Sequence, residues 1–366
     1  MLSTYTSNKS QTVTRLLLSA IVLLVAATLF SLPAAAQQTQ PTILTSDIVN
    51  ISVNTDPNLV NPWGMSASSS SPWWVSDNGT GLSTLYNAAG TPQGLVVTIP
   101  SANGTDTGTP TGQVFNGTSD FKILGTPAHF LFATEDGTIS GWYAGTSAQI
   151  VVNNSPGAVY KGLALASAKG ANYLYATNFR NNSVDVFDGA FAPHSFGSDA
   201  FVDSSIPSGF APFGIANIGN GKLAVTFAKQ DAAKHDDVAG PGNGYVDIFD
   251  TSGNLLMRLP HNYYLNSPWA VVVAPATGFG QFSGKILVGQ FGSGAIAAFD
   301  ATTGSFLSLL FDPNRLQLQL NGLWGLGFGN GGSAGPTNTL FFAAGVFGEA
   351  HGLFGSITVL TGGTNP

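Results

Sequence analysis

The segment Pro212-Phe213-Gly214-Ile215-Ala216-Asn217-Ile218 decides the fold, because its first three residues recur down the chain. The equivalents are Pro62-Trp63-Gly64, Pro110-Thr111-Gly112, Tyr160-Lys161-Gly162, Pro268-Trp269-Ala270 and Leu323-Trp324-Gly325, at intervals of 48 to 56 residues. Each triplet opens a short apolar strand. Gly or Ala in the third place suits a crowded position, and the wall of a central channel is expected there. A second strand follows, as in Trp73-Trp74-Val75-Ser76 and Leu223-Ala224-Val225-Thr226-Phe227. A third ends in an aromatic residue and Asp or Asn: Leu85-Tyr86-Asn87, Val186-Phe187-Asp188, Ile248-Phe249-Asp250 and Ala298-Phe299-Asp300. Gly141-Trp142-Tyr143 and Thr358-Val359-Leu360 depart from that pattern. The Asp or Asn can form an Asx-turn and the Gly that follows supplies a positive φ, leading into fourth strands at 95–99, 254–258 and 306–310.

Four short strands per unit of about 50 residues, six times over, predict an all-β, six-bladed β-propeller. A two-sheet sandwich also uses many short strands, but it explains neither a sixfold repeat nor a sixth unit that stops after its third strand. A spare strand at 42–48 precedes the first unit. Pairing it onto the last blade would complete 24 strands and close the ring.

Composition agrees. The chain has 366 residues, 8% of them charged, with 46 Gly and 25 Phe. A helical bundle needs many charged helix formers on its solvent face, which this chain lacks. Net charge is −7, against the basic face that a nucleic-acid binder requires. With no Cys there is no disulfide, thiol nucleophile or thiolate metal site. Lys9 and Arg15 precede an apolar run, Leu16 to Leu32, and then Pro33 and the small residues Ala34-Ala35-Ala36. That is the layout of a secretory signal, so cleavage before Gln37 and a secreted or periplasmic protein are expected. The remainder, 37–366, reads as a single propeller domain, a monomer that meets no membrane once the signal is removed.

Thr55-Asp56-Pro57-Asn58-Leu59-Val60-Asn61-Pro62-Trp63-Gly64, Val75-Ser76-Asp77-Asn78-Gly79-Thr80-Gly81, Phe132-Ala133-Thr134-Glu135-Asp136-Gly137-Thr138-Ile139, Tyr175-Ala176-Thr177-Asn178-Phe179-Arg180, the run 229–244 and Glu349-Ala350-His351-Gly352-Leu353-Phe354-Gly355 together resemble a family of secreted bacterial proteins with NHL-like propeller repeats. Some of its members carry a PEP-CTERM sorting tail, which is not seen here. The resemblance implies the fold and export but no activity.

In such a blade the loops from second to third strands open on the face that also carries the interblade connections. A ligand site is expected there, at the channel mouth. The candidates are Asn61, Trp63, Asp77, Asn78, Glu135, Asp136, Asn178, Arg180, Lys229, Trp269 and Trp324. Two longer loops add Asp231, His235, Asp236, Asp237, Glu349 and His351, a set able to hold Ca or a transition metal. Each has a plainer reading: a solvated loop for 234–237, turn acceptors for Asp77 and Asp136, interblade packing for the tryptophans. The opposite face is expected to hold turns such as Gly219-Asn220-Gly221, with little chemistry. Motifs for serine hydrolases, zinc proteases, P-loops and EF-hands are missing from the sequence. The leading expectation is a binding module for an extracellular or periplasmic ligand, and the alternative is a divalent-metal-dependent hydrolase or lactonase on the same face.

Overall fold

The computed structural model describes residues 37–360. They form six blades of four antiparallel strands each; Asn54–Thr55 adds a short parallel fifth strand to the outer edge of blade six, and Lys122–Ile123 pairs with Thr126–Pro127 in a separate small hairpin. Blade four shows the unit most fully: Phe210–Gly219, Lys222–Lys229, Gly244–Asp250 and Leu255–Arg258. The first strands of the six blades are Pro62–Ser66, Pro110–Phe115, Tyr160–Ala168, Phe210–Gly219, Pro268–Val273 and Leu323–Phe328, so every triplet opens an innermost strand. The signal segment lies outside the described residues. No helix among the described residues is long and apolar enough to cross a membrane.

Thr39–Ser46 pairs antiparallel with His351–Val359, from Thr39 opposite Val359 to Ser46 opposite Leu353. The N-terminal strand thus completes blade six, in a register three residues earlier than 42–48. It stops at Ser46 because the chain turns there: the Ser46 hydroxyl accepts a bond from the Ile48 amide at 3.1 Å. Asp47 then accepts the Gly352 amide at 2.9 Å, pinning the end of the closing strand.

The Asx-turns form as expected. Asp250 Oδ1 accepts the amides of Ser252 and Asn254 at 2.8 and 2.9 Å, and Asn87 Oδ1 does the same for Ala89 and Thr91. Fourth strands vary more. Blade one keeps only Val97–Thr98 of the expected 95–99. Blades two and three use Gln149–Asn153 and Pro193–His194, which the repeat pattern did not single out.

Six hydrophobic clusters each join two neighbouring blades, for example Leu174 and Phe187 of blade three with Leu131 and Ile139 of blade two. Blades are therefore stabilised by face-to-face burial, at about 25 cal/mol per Å² of apolar surface. The third triplet residue serves this packing and does not simply spare room at the axis. A methyl group on Gly64 would run into the backbone of Thr111 and Gln113 in the next blade, and one on Gly214 into the Trp269 carbonyl. Gly112, Gly162 and Gly325 meet the following blade in the same way. The conserved geometry is a backbone-to-backbone approach between successive innermost strands.

Candidate ligand site at the charged mouth of the channel

Second-to-third strand loops do gather beside the interblade connections, through a bond repeated around the ring. The amide just after the second strand donates to the residue just before the triplet: Asn78 to Asn61 O at 3.0 Å, Glu135 to Thr109 O at 3.1 Å, Phe179 to Val159 O at 2.9 Å and Phe291 to Ser267 O at 3.0 Å. Loop residues are thus held next to the axis by the same backbone contact in successive blades.

Beneath them lies an aromatic plug. Trp63 and Trp324 stack with ring centroids 3.5 Å apart, and Phe291 stacks on Trp324 at 3.8 Å. Trp269 meets both tryptophans edge-on, and Phe213 and Phe179 complete the cluster. Trp63 and Trp324 are buried, so they close the channel and offer no open stacking surface on this face.

Lys161 occupies the place that Trp or Phe takes in four other triplets. It is 1% exposed. Its ammonium forms an ion pair with Glu135 and another with Asp236 Oδ1 at 3.1 Å. It also lies 5.2 Å from the Trp63 ring centroid, within cation–π range, and Trp269 Nε1 donates to the Lys161 carbonyl at 2.9 Å. Burial alone would lower the lysine pKa, but the charges of Glu135 and Asp236 outweigh it and hold the group above its ordinary value. It is an ammonium at neutral pH, able to stabilise negative charge and unsuited to act as a nucleophile.

Polar partners extend from this centre in one direction. Trp324 Nε1 donates to Asn61 Oδ1 at 3.2 Å, Asn61 to Asn78 Oδ1 at 3.3 Å, and Asn78 to Glu135 Oε2 at 2.9 Å. On the far side His235 Nδ1 lies 2.9 Å from Asp236 Oδ1. Burial tends to raise Asp236, but the Lys161 charge and the His235 bond bring it below the usual carboxylate range. Two further carboxyls feel the same ammonium: burial raises both Asp237 and Glu349, while the Ser267 hydroxyl beside Asp237, the Asn61 amide beside Glu349, and the Lys161 charge pull them partly back. Glu349 Oε1 and Asp237 Oδ2 are buried oxygens without a hydrogen-bond partner. Glu349 also adopts φ +68°, a left-handed backbone uncommon for a non-glycine residue and a form of strain that clusters at functional sites. The only two glutamates in the sequence come together here: the charge of Glu135 lies close enough to Glu349 to help raise its pKa.

Other sequence candidates lie apart from this centre. Asp77 is buried inside blade one, where the Thr84 hydroxyl donates to it at 2.7 Å and burial raises its pKa well above the usual value. Asp136 accepts the Thr109 amide at 3.1 Å, a turn role. Asn178 donates to Asp185 at 2.9 Å, Arg180 to the Pro156 carbonyl at 3.1 Å, and Lys229 is exposed. Of the six proposed metal ligands, Asp231 is spent on its own loop, accepting the His235 amide at 2.8 Å. His351 pairs with Asp47 at 2.6 Å beside the closing strand. His235 and Asp236 join Glu135: one ligand atom from each lies within 4.8 Å of the others. Lys161 was not among the sequence candidates, although a lone charge in an otherwise apolar or hydroxylic triplet column was visible.

No family model matches the chain. An uncharacterised protein of Acanthamoeba polyphaga mimivirus is 30% identical over 329 residues, covering 86% of this chain and 78% of the viral protein. Among solved structures, a catalytically inactive virginiamycin B lyase from Staphylococcus aureus, crystallised with quinupristin, superposes with a TM-score of 0.51 at 13% identity, over 88% of this chain and all of the lyase. A gluconolactonase from Xanthomonas campestris gives 0.52 at 14% identity, over 83% and 87% of the two chains. These likenesses establish the propeller. The relatives that match in sequence are viral, where the repeat resemblance pointed to secreted bacterial proteins.

Proposed function

This chain belongs to the family of that mimivirus protein, and on that premise we propose that it is a binding propeller that takes its ligand at the charged mouth of the channel. One observation carries the reading. The ammonium of Lys161 already sits between Glu135 and Asp236, so these carboxylates have their counter-ion inside the fold. A divalent metal would have to displace a buried, paired ammonium, at a cost of several kcal/mol. Acceptor capacity remains beside that pair: Glu349 Oε1 and Asp237 Oδ2 are buried and make no hydrogen bond of good geometry, with Asn61, Trp324 and Ser267 as the neighbouring donors. They suit a small ligand that donates hydrogen bonds through hydroxyl or amine groups. Export of the chain with loss of residues 1–36 belongs to the same proposal and places that ligand outside the cytoplasm; the intact mass of the protein from its native host, expected to begin at Gln37, checks it.

A second reading, a divalent-metal-dependent hydrolase or lactonase, draws on the Glu135, His235 and Asp236 grouping. Enzymes of lyase and lactonase type share the fold, and the fold does not choose between the readings. A thermal-shift series with Ca, Mg, Mn and Zn beside a chelator does. We expect equal melting temperatures for the native protein and a metal-dependent rise in Lys161→Ala, whose carboxylates have lost their cation. A metal that binds only the folded state adds about 2.7 kcal/mol at a hundredfold excess over Kd. A rise in the native protein that Glu135→Gln abolishes would overturn the binding reading in favour of the hydrolase.

A further inference from the structure

The channel below the aromatic plug holds a cavity of about 350 Å³. All six innermost strands line it, and none of its lining residues is Asp, Glu, Lys, Arg or His. Trp269 stands at the plug end, with Met65, Leu163, Ile215, Val271 and Leu326 along the wall. Exposure along single strands shows where it opens. Leu163 is 4% exposed, Leu165 is half-buried and Ser167 is exposed; Ile215 is 8% exposed and Asn217 is exposed. The mouth is thus at the face opposite Lys161, the one on which the sequence placed little beyond turns.

The side-chain amides of the wall are engaged. Gln113 donates to the Trp74 carbonyl and to Ser66 Oγ and accepts from the Ser76 hydroxyl at 2.8 Å. Asn217 donates to the Leu165 carbonyl at 2.9 Å and accepts the Gly219 amide at 3.0 Å. The wall presents more apolar than polar surface. A charged ligand would lose its hydration without compensation. The cavity lies within the size range of small-molecule sites. It spans three residue steps from Gly64 to Ala67, about 10 Å, which gives a bore on the order of 35 Å². That is broad for one extended alkyl chain and suits a compact ring system.

We propose that this lower channel is a second binding site, for an uncharged, mostly apolar, ring-containing molecule that lies against Trp269 and turns its polar end to Ser66 and Asn217. It is independent of the charged mouth and of the proposed function there.

The test uses N-phenylnaphthylamine, an uncharged aromatic fluorophore, titrated into the full-length protein. The expected result is one saturable site with enhanced emission. Ala216→Trp and Ala67→Trp, both half-buried at the mouth, should weaken binding tenfold or more in the folded protein; each alanine also packs against an interblade cluster, so a lowered melting temperature is expected with it. If either fails to fold, Asn217→Trp, at the exposed rim, provides the same reading. Leu256→Ser, on an exposed apolar spot of blade four, should leave the affinity unchanged. The proposal is overturned by the lack of a saturable site, by several weak sites, by loss of binding in Leu256→Ser, or by native affinity in folded variants whose mouth carries the added tryptophan.

Discussion

At one end of the channel Lys161 lies among Glu135, Asp236, Asp237 and Glu349; at the other, Leu165 and Ile215 give way to Asn217 with no ionisable side chain in the wall. The same six strands run between both ends. The difference comes from what the chain adds to them. The charged end is built from second-to-third strand loops and one triplet residue, positions that the blade-to-blade packing leaves free to vary. The apolar end is built from the strands themselves, whose inward residues face the axis. The tryptophan plug separates the two, so a buried ammonium pairs with the mostly buried Glu135 and the solvent-facing Asp236 at one end while a neighbouring cavity stays apolar.

Three experiments break or sharpen that contrast. The largest effect is expected from deleting residues 39–46, which removes the ring that gives both ends their shape. Blade six would lose its fourth strand and expose an edge. Aggregation, or loss of cooperative unfolding by calorimetry, is the expected outcome; a native melting curve would refute closure by this strand. Next comes Lys161→Met. Removing one partner of a buried ion pair costs about 3 kcal/mol or more, whereas Asn217→Ala at the opposite mouth should cost within about 0.5 kcal/mol. Denaturant midpoints at constant slope compare the two, and equal losses would dissolve the distinction between the ends. The smallest effect is in pH. Lys161 has a folded pKa above its unfolded value, so its stabilisation is complete below about 10.4 and lost as pH rises through the folded value. Asp236 has a folded pKa below its unfolded value, so its share is present above about 3.9 and lost as pH falls through the folded value. The stability difference between native protein and Lys161→Met should shrink above about 10.4. It should also shrink on acidification, beginning well above about 3.9, because Asp237 and Glu349 have raised folded pKa values that Lys161 pulls back, and so titrate before Asp236. A difference that grows on acidification would show that another group carries the charge.

The repeat was legible because packing between blades is the same each time. Gly64, Gly112, Gly162, Gly214 and Gly325 meet the next blade's backbone, and that demand leaves a column in the sequence. The Asx-turn residues Asn87, Asp188, Asp250 and Asp300 are legible for the same reason, since each satisfies amides within a few residues of itself. The candidate site obeys no repeated rule. Glu135 and Asn78 were singled out by their loops, but Asp77 in the neighbouring position turned inward to Thr84. Only the coordinates show which of two adjacent residues faces the axis. Lys161 was missed because its column was read as packing, and the lower cavity because an apolar wall looks in sequence like any other strand.

The pairing of Thr39–Ser46 with His351–Val359 also sets an order of events. The Ser46 hydroxyl bonds the Gly352 carbonyl across 306 residues, so blade six cannot be finished until nearly the whole chain has left the ribosome. Until then the earliest strand to emerge has only the two-residue parallel partner Asn54–Thr55 to pair with, and five blades must stack before the sixth can bring its antiparallel partner within reach. Closing so long a loop is slow in proportion to its non-local character. The step that locks the ring is therefore the last one in folding, and a nascent chain is most exposed to mispairing with a second copy of itself during the interval before it.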